Sequence, residues 1–228
     1  MKTLGVVCAR EGSKGVVGKN KRQFADTTLA DIALDQLVGY DFTDVTVSTD
    51  DRLVTSKAYK RGMIYLINRP EYLCGDSISK MSVFRDALVN MEEQTGTTYD
   101  MVVDLSCTTP FRSIGDISDT IGKMKGQVDI ATTATTSARS PYFNIVEIDR
   151  HGYVSLCKPY ATDGRQGAPE TFDLVASVFC VTREFLMSGR SYWNSTIALN
   201  EIPEERSMEI DTEFEFSTAE LLYKNMKE

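Results

Sequence analysis

Three glycines, Gly12, Gly15 and Gly18, fall within seven residues near the start of the chain, and three cations, Arg10, Lys14 and Lys19, are threaded among them. The apolar run 4–8 precedes them and reads as a buried strand. Glycine lets backbone N–H groups turn toward one point, and the cations concentrate positive charge there. A triphosphate is the guest that such a turn suits. The spacing is not Gly-x-x-x-x-Gly-Lys-Ser/Thr, because Lys14 is followed by Gly15; nor is it Gly-x-Gly-x-x-Gly, which disfavours a dinucleotide fold. A solvated surface turn would use the same residues. The overall balance weighs against that, since the net charge is −8 and the pI ≈ 4.9. An acidic chain that binds a triphosphate must gather its cations locally.

Far away in the chain, Glu209 and Asp211 alternate on an extended stretch, so their carboxylates share one side. Asp50 and Asp51 follow a short apolar run and suit either a phosphate-linked role or the cap of the next helix. Zinc and Cys-His or Ser-His chemistry are disfavoured. The five cysteines form no Cys-x-x-Cys pair, and the one histidine, His151, sits in the turn Asp149-Arg-His-Gly152. An odd number of cysteines suits reduced thiols, with Cys8, Cys107 and Cys180 as small core residues.

The elements that must position these groups alternate. Strands are expected at 4–8, 44–48, 63–67, 100–105 and 129–134, and helices at 29–38, 52–61, 77–91 and 114–124, the third capped by Ser77 or Asp76. This rhythm predicts an α/β fold with a mostly parallel sheet and helices on both faces. Ligands of such sheets bind outside the carboxyl ends of the strands, where Cys8, Ser48 and Leu105 each lead into a candidate motif. After Ala138 the rhythm breaks. Residues 142–148 and 153–158 read as a hairpin, 172–181 as a strand and 211–227 as a closing helix. The 228 residues suffice for one large domain spanning 1–228. The acidic balance excludes nucleic acid as a general partner. No apolar run approaches the roughly 20 residues of a membrane span. The opening residues lead straight into a strand rather than a signal peptide, so a cytoplasmic location is expected.

Ala9-Arg10-x-Gly12-Ser13-Lys14-Gly15 with Lys19-Asn20 resembles the nucleotide-binding motif of the acylneuraminate cytidylyltransferases. Four further segments resemble that family in the same order: Val47-Ser48-Thr49-Asp50-Asp51, Arg69-Pro70-x-x-Leu73-x-x-Asp76, Thr108-Thr109-Pro110-Phe111-Arg112, and Arg165-Gln166 with Glu209-Ile210-Asp211. The resemblance runs from Leu4 to about Phe216 and implies a Rossmann-like nucleotidyltransferase with a β-hairpin dimerisation arm at about 138–168. It implies a homodimer that moves CMP from CTP, its co-substrate, to the anomeric hydroxyl of an acidic α-keto sugar. Pyrophosphate would leave, and the product would serve surface glycan or flagellin glycosylation.

The same resemblance implies residue roles. Arg10, Gly12, Ser13 and Lys14 would cradle the triphosphate, Asn20 would bond the nucleotide, and Arg69 and Ser79 would lie near cytosine. Asp211 and Glu209 would hold Mg²⁺ or Mn²⁺, with Arg10, Lys14 and Asp211 as the catalytic set. Glu209 departs from the usual Asp-Ile-Asp. Ser106, Thr108, Arg112, Arg165, Gln166, Val175 and Phe179 would line the sugar pocket, arginine being suited to a carboxylate. Ser106, Val175 and Phe179 stand where polar residues are frequent, and the segments 141–147 and 165–169 look closer to enzymes for legionaminic acid. Two rivals are activation of a 3-deoxy-octulosonate-type acid and a catalytically weak nucleotide-binding or assembly protein on the same fold.

Overall fold

A computed structural model describes residues 1–12, 14–159 and 167–226. The elements run β1 (Thr3–Ala9), β2 (Gln23–Phe24), β3 (Thr27–Thr28), α1 (Leu29–Gly39), β4 (Asp44–Thr49), α2 (Arg52–Lys60), β5 (Leu66–Asn68), α3 (Lys80–Thr95) and β6 (Met101–Leu105). They continue with α4 (Ile114–Gly122), β7 (Ile130–Thr136), β8 (Val146–Ile148), β9 (Val154–Leu156), β10 (Phe172–Thr182), α5 (Arg183–Ser188), β11 (Ile197–Glu201) and α6 (Glu213–Asn225). Seven strands form one sheet in the order β11-β7-β10-β6-β1-β4-β5. The expected mostly parallel sheet is present, and β10 alone runs antiparallel, between β6 and β7.

The strands at the centre are apolar on both faces because both faces are covered. On one side Val7, Val103 and Leu105 pack with Leu29, Ala33 and Leu37 of α1. On the other, Leu4, Val6 and Val102 pack with Phe84, Leu88 and Met91 of α3. Helix α3 starts later than expected. Its cap is Ser79, whose hydroxyl accepts from the Met81 N–H at 3.2 Å. Strand β5 also starts later, because Met63 still bonds to the end of α2 and turns its side chain into the core. Strand β11 carried no strong alternation in sequence, and three of its residues are only half-buried at the sheet edge.

The register of β10 shifts between Val175 and Phe179. This bulge bends the strand and turns the backbone of Ala176 and Ser177 toward the carboxyl ends of β1 and β6. The expected hairpin exists as the short pair β8–β9. Its residues are exposed, among them Ile148, Tyr153 and Val154. Among the described residues no helix is long and apolar enough to cross a membrane.

Tyr99 anchors the amino-terminal edge of the sheet. It is fully buried, its hydroxyl donates to Asp44 Oδ2 at 2.8 Å and pairs with Thr95 Oγ1 at 3.0 Å, and burial pushes its pKa up to about 12. Tyr99→Phe is expected to cost about 1–2 kcal/mol through the lost hydrogen bonds, read as a lower urea midpoint, with nucleotide binding unchanged.

Candidate functional site

The carboxyl ends of β1, β5 and β6 open into a cleft of about 520 Å³, within the usual range for small-molecule sites. Arg10, Lys14, Asn20, Arg69, Ser106, Thr108, Glu209 and Asp211 all line it, so residues far apart in sequence converge as expected.

The glycine-rich segment is held from both flanks. Asp50 accepts from the Glu11 N–H at 2.8 Å. Asp51 caps α2 through the Leu53 N–H at 2.8 Å and pairs with Lys21 at 3.0 Å, while Lys21 also holds Glu11 at 2.7 Å. Asp50 and Asp51 therefore brace the loop. Gly15 is required for a different reason: a Cβ there would lie 1.9 Å from the Asp211 carbonyl oxygen. The loop thus rests against the late acidic segment. Lys19 locks that contact, its ammonium donating to Ile210 O and Asp211 Oδ1, each at 2.8 Å.

Arg10 and Lys14 both pair with Asp76, Arg10 at 2.7 Å. These two cations hold the exposed Asp76 carboxyl below the usual carboxylate range. Asp76 occupies an anion position that a phosphate would compete for. Asn20 donates weakly to Arg10 O at 3.5 Å, and its buried Oδ1 has no partner. Arg69 is buried and donates to Ser48 O at 2.8 Å and Ser48 Oγ at 3.2 Å, which sets its guanidinium on the cleft wall.

The late acids sit opposite. Ile210 is buried, and its N–H donates to Thr108 O at 2.9 Å, so Glu209 and Asp211 flank a fixed residue. Glu209 accepts from the Ala176 N–H at 3.1 Å, and burial pushes its carboxyl up. Thr212, not Asp211, caps α6, in a capping box with Glu215. Asp211 is thus free of the capping role. No group of three His, Cys, Asp or Glu side chains among the described residues could hold a metal ion unaided. A Mg²⁺ ion fits nonetheless, because it is commonly bound by one or two carboxylates with phosphate and water oxygens, and Glu209 and Asp211 face the cleft beside the loop cations.

Several expected residues do not reach the cleft. Arg112 is buried, and its guanidinium donates to Ser177 O at 2.7 Å, Gln36 Oε1 at 2.7 Å and Ser106 O at 3.1 Å. Burial pulls its pKa down to about 10, still charged at neutral pH. It ties the β10 bulge to the end of β6. Val175 and Phe179 are buried at either side of the bulge, so they support the cleft from beneath. Ser79 caps α3, while its neighbours Ile78 and Lys80 line the cleft. Gly12 lies outside the lining, and Cys8, expected in the core, borders the cleft. Ser13, Arg165 and Gln166 lie outside the described residues.

Two charged lining residues belonged to no recognised motif, Asp104 and Lys80. Asp104 is 2% exposed, and its Oδ1 has no hydrogen-bond partner. Burial pushes its carboxyl up, opposed by Lys80, Arg112, a hydrogen bond from the Cys8 thiol, and Arg69. An unsatisfied buried acceptor costs about 1–3 kcal/mol. The signal in sequence was a single acid inside Met101-Val-Val-Asp-Leu105, a run otherwise read as buried on both faces.

Arg112→Lys and Arg112→Met test this tying role. Both should lose stability, Met by about 3 kcal/mol or more, since each orphaned acceptor costs about 1–3 kcal/mol, and the loss is read as a lower melting temperature. A folded variant with unchanged stability and a raised KM for the acid alone would restore the ligand role.

The family profile described as cytidylyltransferase matches residues 4–150. The chain is 32% identical to post-translational flagellin modification protein B of Campylobacter coli over 223 residues, 97% of this chain and 94% of that one. It is 32% identical to the CMP-N,N'-diacetyllegionaminic acid synthase of Campylobacter jejuni, covering 96% of this chain and 94% of that one. Among solved structures, a CMP:2-keto-3-deoxy-manno-octonic acid synthetase complexed with CTP shares the fold. Its TM-score is 0.69 at 16% identity, with 99% of this chain and 100% of that chain covered.

Proposed function

The chain belongs to the cytidylyltransferase family and is a nucleotidyltransferase, and on that premise we propose that it transfers CMP from CTP to the anomeric hydroxyl of a nine-carbon acidic sugar, releasing pyrophosphate. The observation that carries this reading is the single cleft in which Arg10, Lys14 and Lys19 face Glu209 and Asp211. Cations beside paired carboxylates suit an α-phosphate under attack, where charge builds on the bridging oxygen as pyrophosphate leaves.

Each residue then has a defined task. Arg10 and Lys14 exchange Asp76 for the β- and γ-phosphates, Arg10 as a fork and Lys14 as a point charge. Lys19 holds Asp211 against the loop, so the acid and the phosphates keep a fixed distance. Asn20, with its unpartnered Oδ1, accepts from a nucleotide hydroxyl. A Mg²⁺ ion held by Asp211 and Glu209 would supply neutralisation of the α-phosphate and a more acidic attacking hydroxyl. Ser106 and Thr108, whose hydroxyls pair at 2.9 Å, face the acceptor side of the cleft. Arg165 and Gln166 are assigned to the sugar acid by resemblance alone.

The acceptor is of the legionaminic type. Two relatives named for CMP-N,N'-diacetyllegionaminic acid synthesis, at 32% and 26% identity, are more similar than the N-acylneuraminate cytidylyltransferase of Streptococcus agalactiae, at 22%. The same assignment places the product upstream of flagellin or surface glycan modification, in keeping with the name of the Campylobacter coli relative. The decisive assay follows pyrophosphate release from CTP with a panel of nonulosonic acids. The expected result is a higher kcat/KM for the diacetylated diamino sugar than for N-acetylneuraminic acid. Activity should vanish with EDTA and in Asp211→Asn. Arg10→Ala and Lys14→Ala should each lose at least tenfold, about 1.4 kcal/mol. Turnover that survives EDTA would remove the metal, and a preference for N-acetylneuraminic acid would replace the acceptor.

The active form is a homodimer joined through the hairpin. Ile148 is 71% exposed, Tyr153 74% and Val154 63% on a two-stranded ribbon too small to be stable alone. Light scattering at micromolar concentration should give twice the chain mass of 25.4 kDa. Val154→Asp should shift that mass to the monomer. A monomeric wild-type protein would overturn this assignment.

A further inference from the structure

We infer that Lys80 receives the carboxylate of the acceptor sugar acid and so fixes the attacking hydroxyl at the α-phosphate. The inference rests on the proposed transfer to a nine-carbon acidic sugar and deepens it, since that reading assigns residues to the acid only by resemblance.

Among the described residues, five cations line the cleft. Four are engaged. Arg10 and Lys14 pair with Asp76, Lys19 donates to Ile210 O and Asp211 Oδ1, and Arg69 donates to Ser48. Lys80 differs. The Asp104 carboxylate lies 4.0 Å from its ammonium, too far for a hydrogen bond, and the side chain stays 49% exposed. Its ammonium rests 5.1 Å over the Phe179 ring, which steadies it without using a donor. The charge of Lys80 also reaches Glu209, so this cation stands near the acids proposed to hold the metal. Burial disfavours the charged form of both Asp104 and Glu209, which leaves the ammonium incompletely neutralised.

Lys80 also breaks a local rule. It is the first residue of α3, after the Ser79 cap, and the first turn carries no acid. A cation there faces the positive end of the helix. Rules of this kind are broken where a function compensates.

The chemistry of the acceptor says what that function is. In the ring form of an α-keto acid, the carboxylate and the anomeric hydroxyl are attached to the same carbon. The hydroxyl must reach the α-phosphate, which the Glu209 and Asp211 side of the cleft would serve. The carboxylate therefore comes to rest beside the same acids, where Lys80 stands with donors to spare. The cation also offsets the repulsion between the incoming carboxylate and the phosphate, and it orients the hydroxyl for attack.

Steady-state kinetics with N,N'-diacetyllegionaminic acid and with its C1 methyl ester tests this on wild-type protein, Lys80→Met and Lys80→Gln. The ester keeps the attacking hydroxyl and loses the charge. Wild type should use the acid at least about tenfold more efficiently than the ester, in kcat/KM, because a charge-assisted bond is lost. Both variants should lose at least about tenfold with the acid and less than about twofold with the ester, while KM for CTP stays unchanged. Their melting temperatures should equal or exceed that of wild type, because a cation leaves the start of a helix. Should N-acetylneuraminic acid prove the better acceptor, that acid and its methyl ester take the place of the first pair. Equal use of acid and ester by wild type, equal losses on both in the variants, or a change in KM for CTP alone overturns the inference and leaves the transferase reading standing. Wild-type protein that turns over no nonulosonic acid would remove both readings together.

Discussion

The contact between the glycine-rich loop and the segment around Asp211 is the constraint on which the site depends. Gly15 meets the Asp211 carbonyl with no room for a Cβ, and Lys19 bonds to both Ile210 and Asp211. These residues lie almost two hundred positions apart in the chain. Ile210 is buried and bonded to Thr108, so the late segment cannot drift. Loop cations and late carboxylates are therefore held in fixed positions along one cleft.

A second layer of polar contacts keeps that geometry. Asp50, Asp51 and Lys21 brace the loop from the β4 side. Arg112 fastens the β10 bulge to the end of β6, and the bulge in turn offers the Ala176 N–H to Glu209. Buried polar groups of this kind are costly unless satisfied, so each bond that satisfies one also fixes a position. The exceptions are informative. Asn20 and Asp104 each keep one buried acceptor without a donor, and both line the cleft. In the free protein these are unfavourable.

The paired state of Arg10 and Lys14 has a similar logic. With Asp76 between them, two cations are held close without their full mutual repulsion. A phosphate carries more charge and more acceptors than a single carboxylate, which is why the proposed function has it displace Asp76. The exposure of Asp76 lets it return to water.

The order of local signals was enough to read the α/β fold, the parallel half of the sheet and most of the cleft. Periodicity reports which faces are buried, and a glycine-cation turn after a strand reports its own chemistry. Arg10, Lys14, Asn20, Arg69, Ser106, Thr108, Glu209 and Asp211 were all legible from residue type and motif, and the structure brings them together. Tertiary structure alone decided the rest. The antiparallel insertion of β10 depends on pairing with β6 and β7, distant partners that local patterning does not encode. The bonds of Arg112 to acceptors from α1, the bulge and the segment after β6 could not be read from its motif. Asp104 carries no motif. Its setting, a buried oxygen left without a donor and an ammonium 4.0 Å from the same carboxylate, is one that only folding creates.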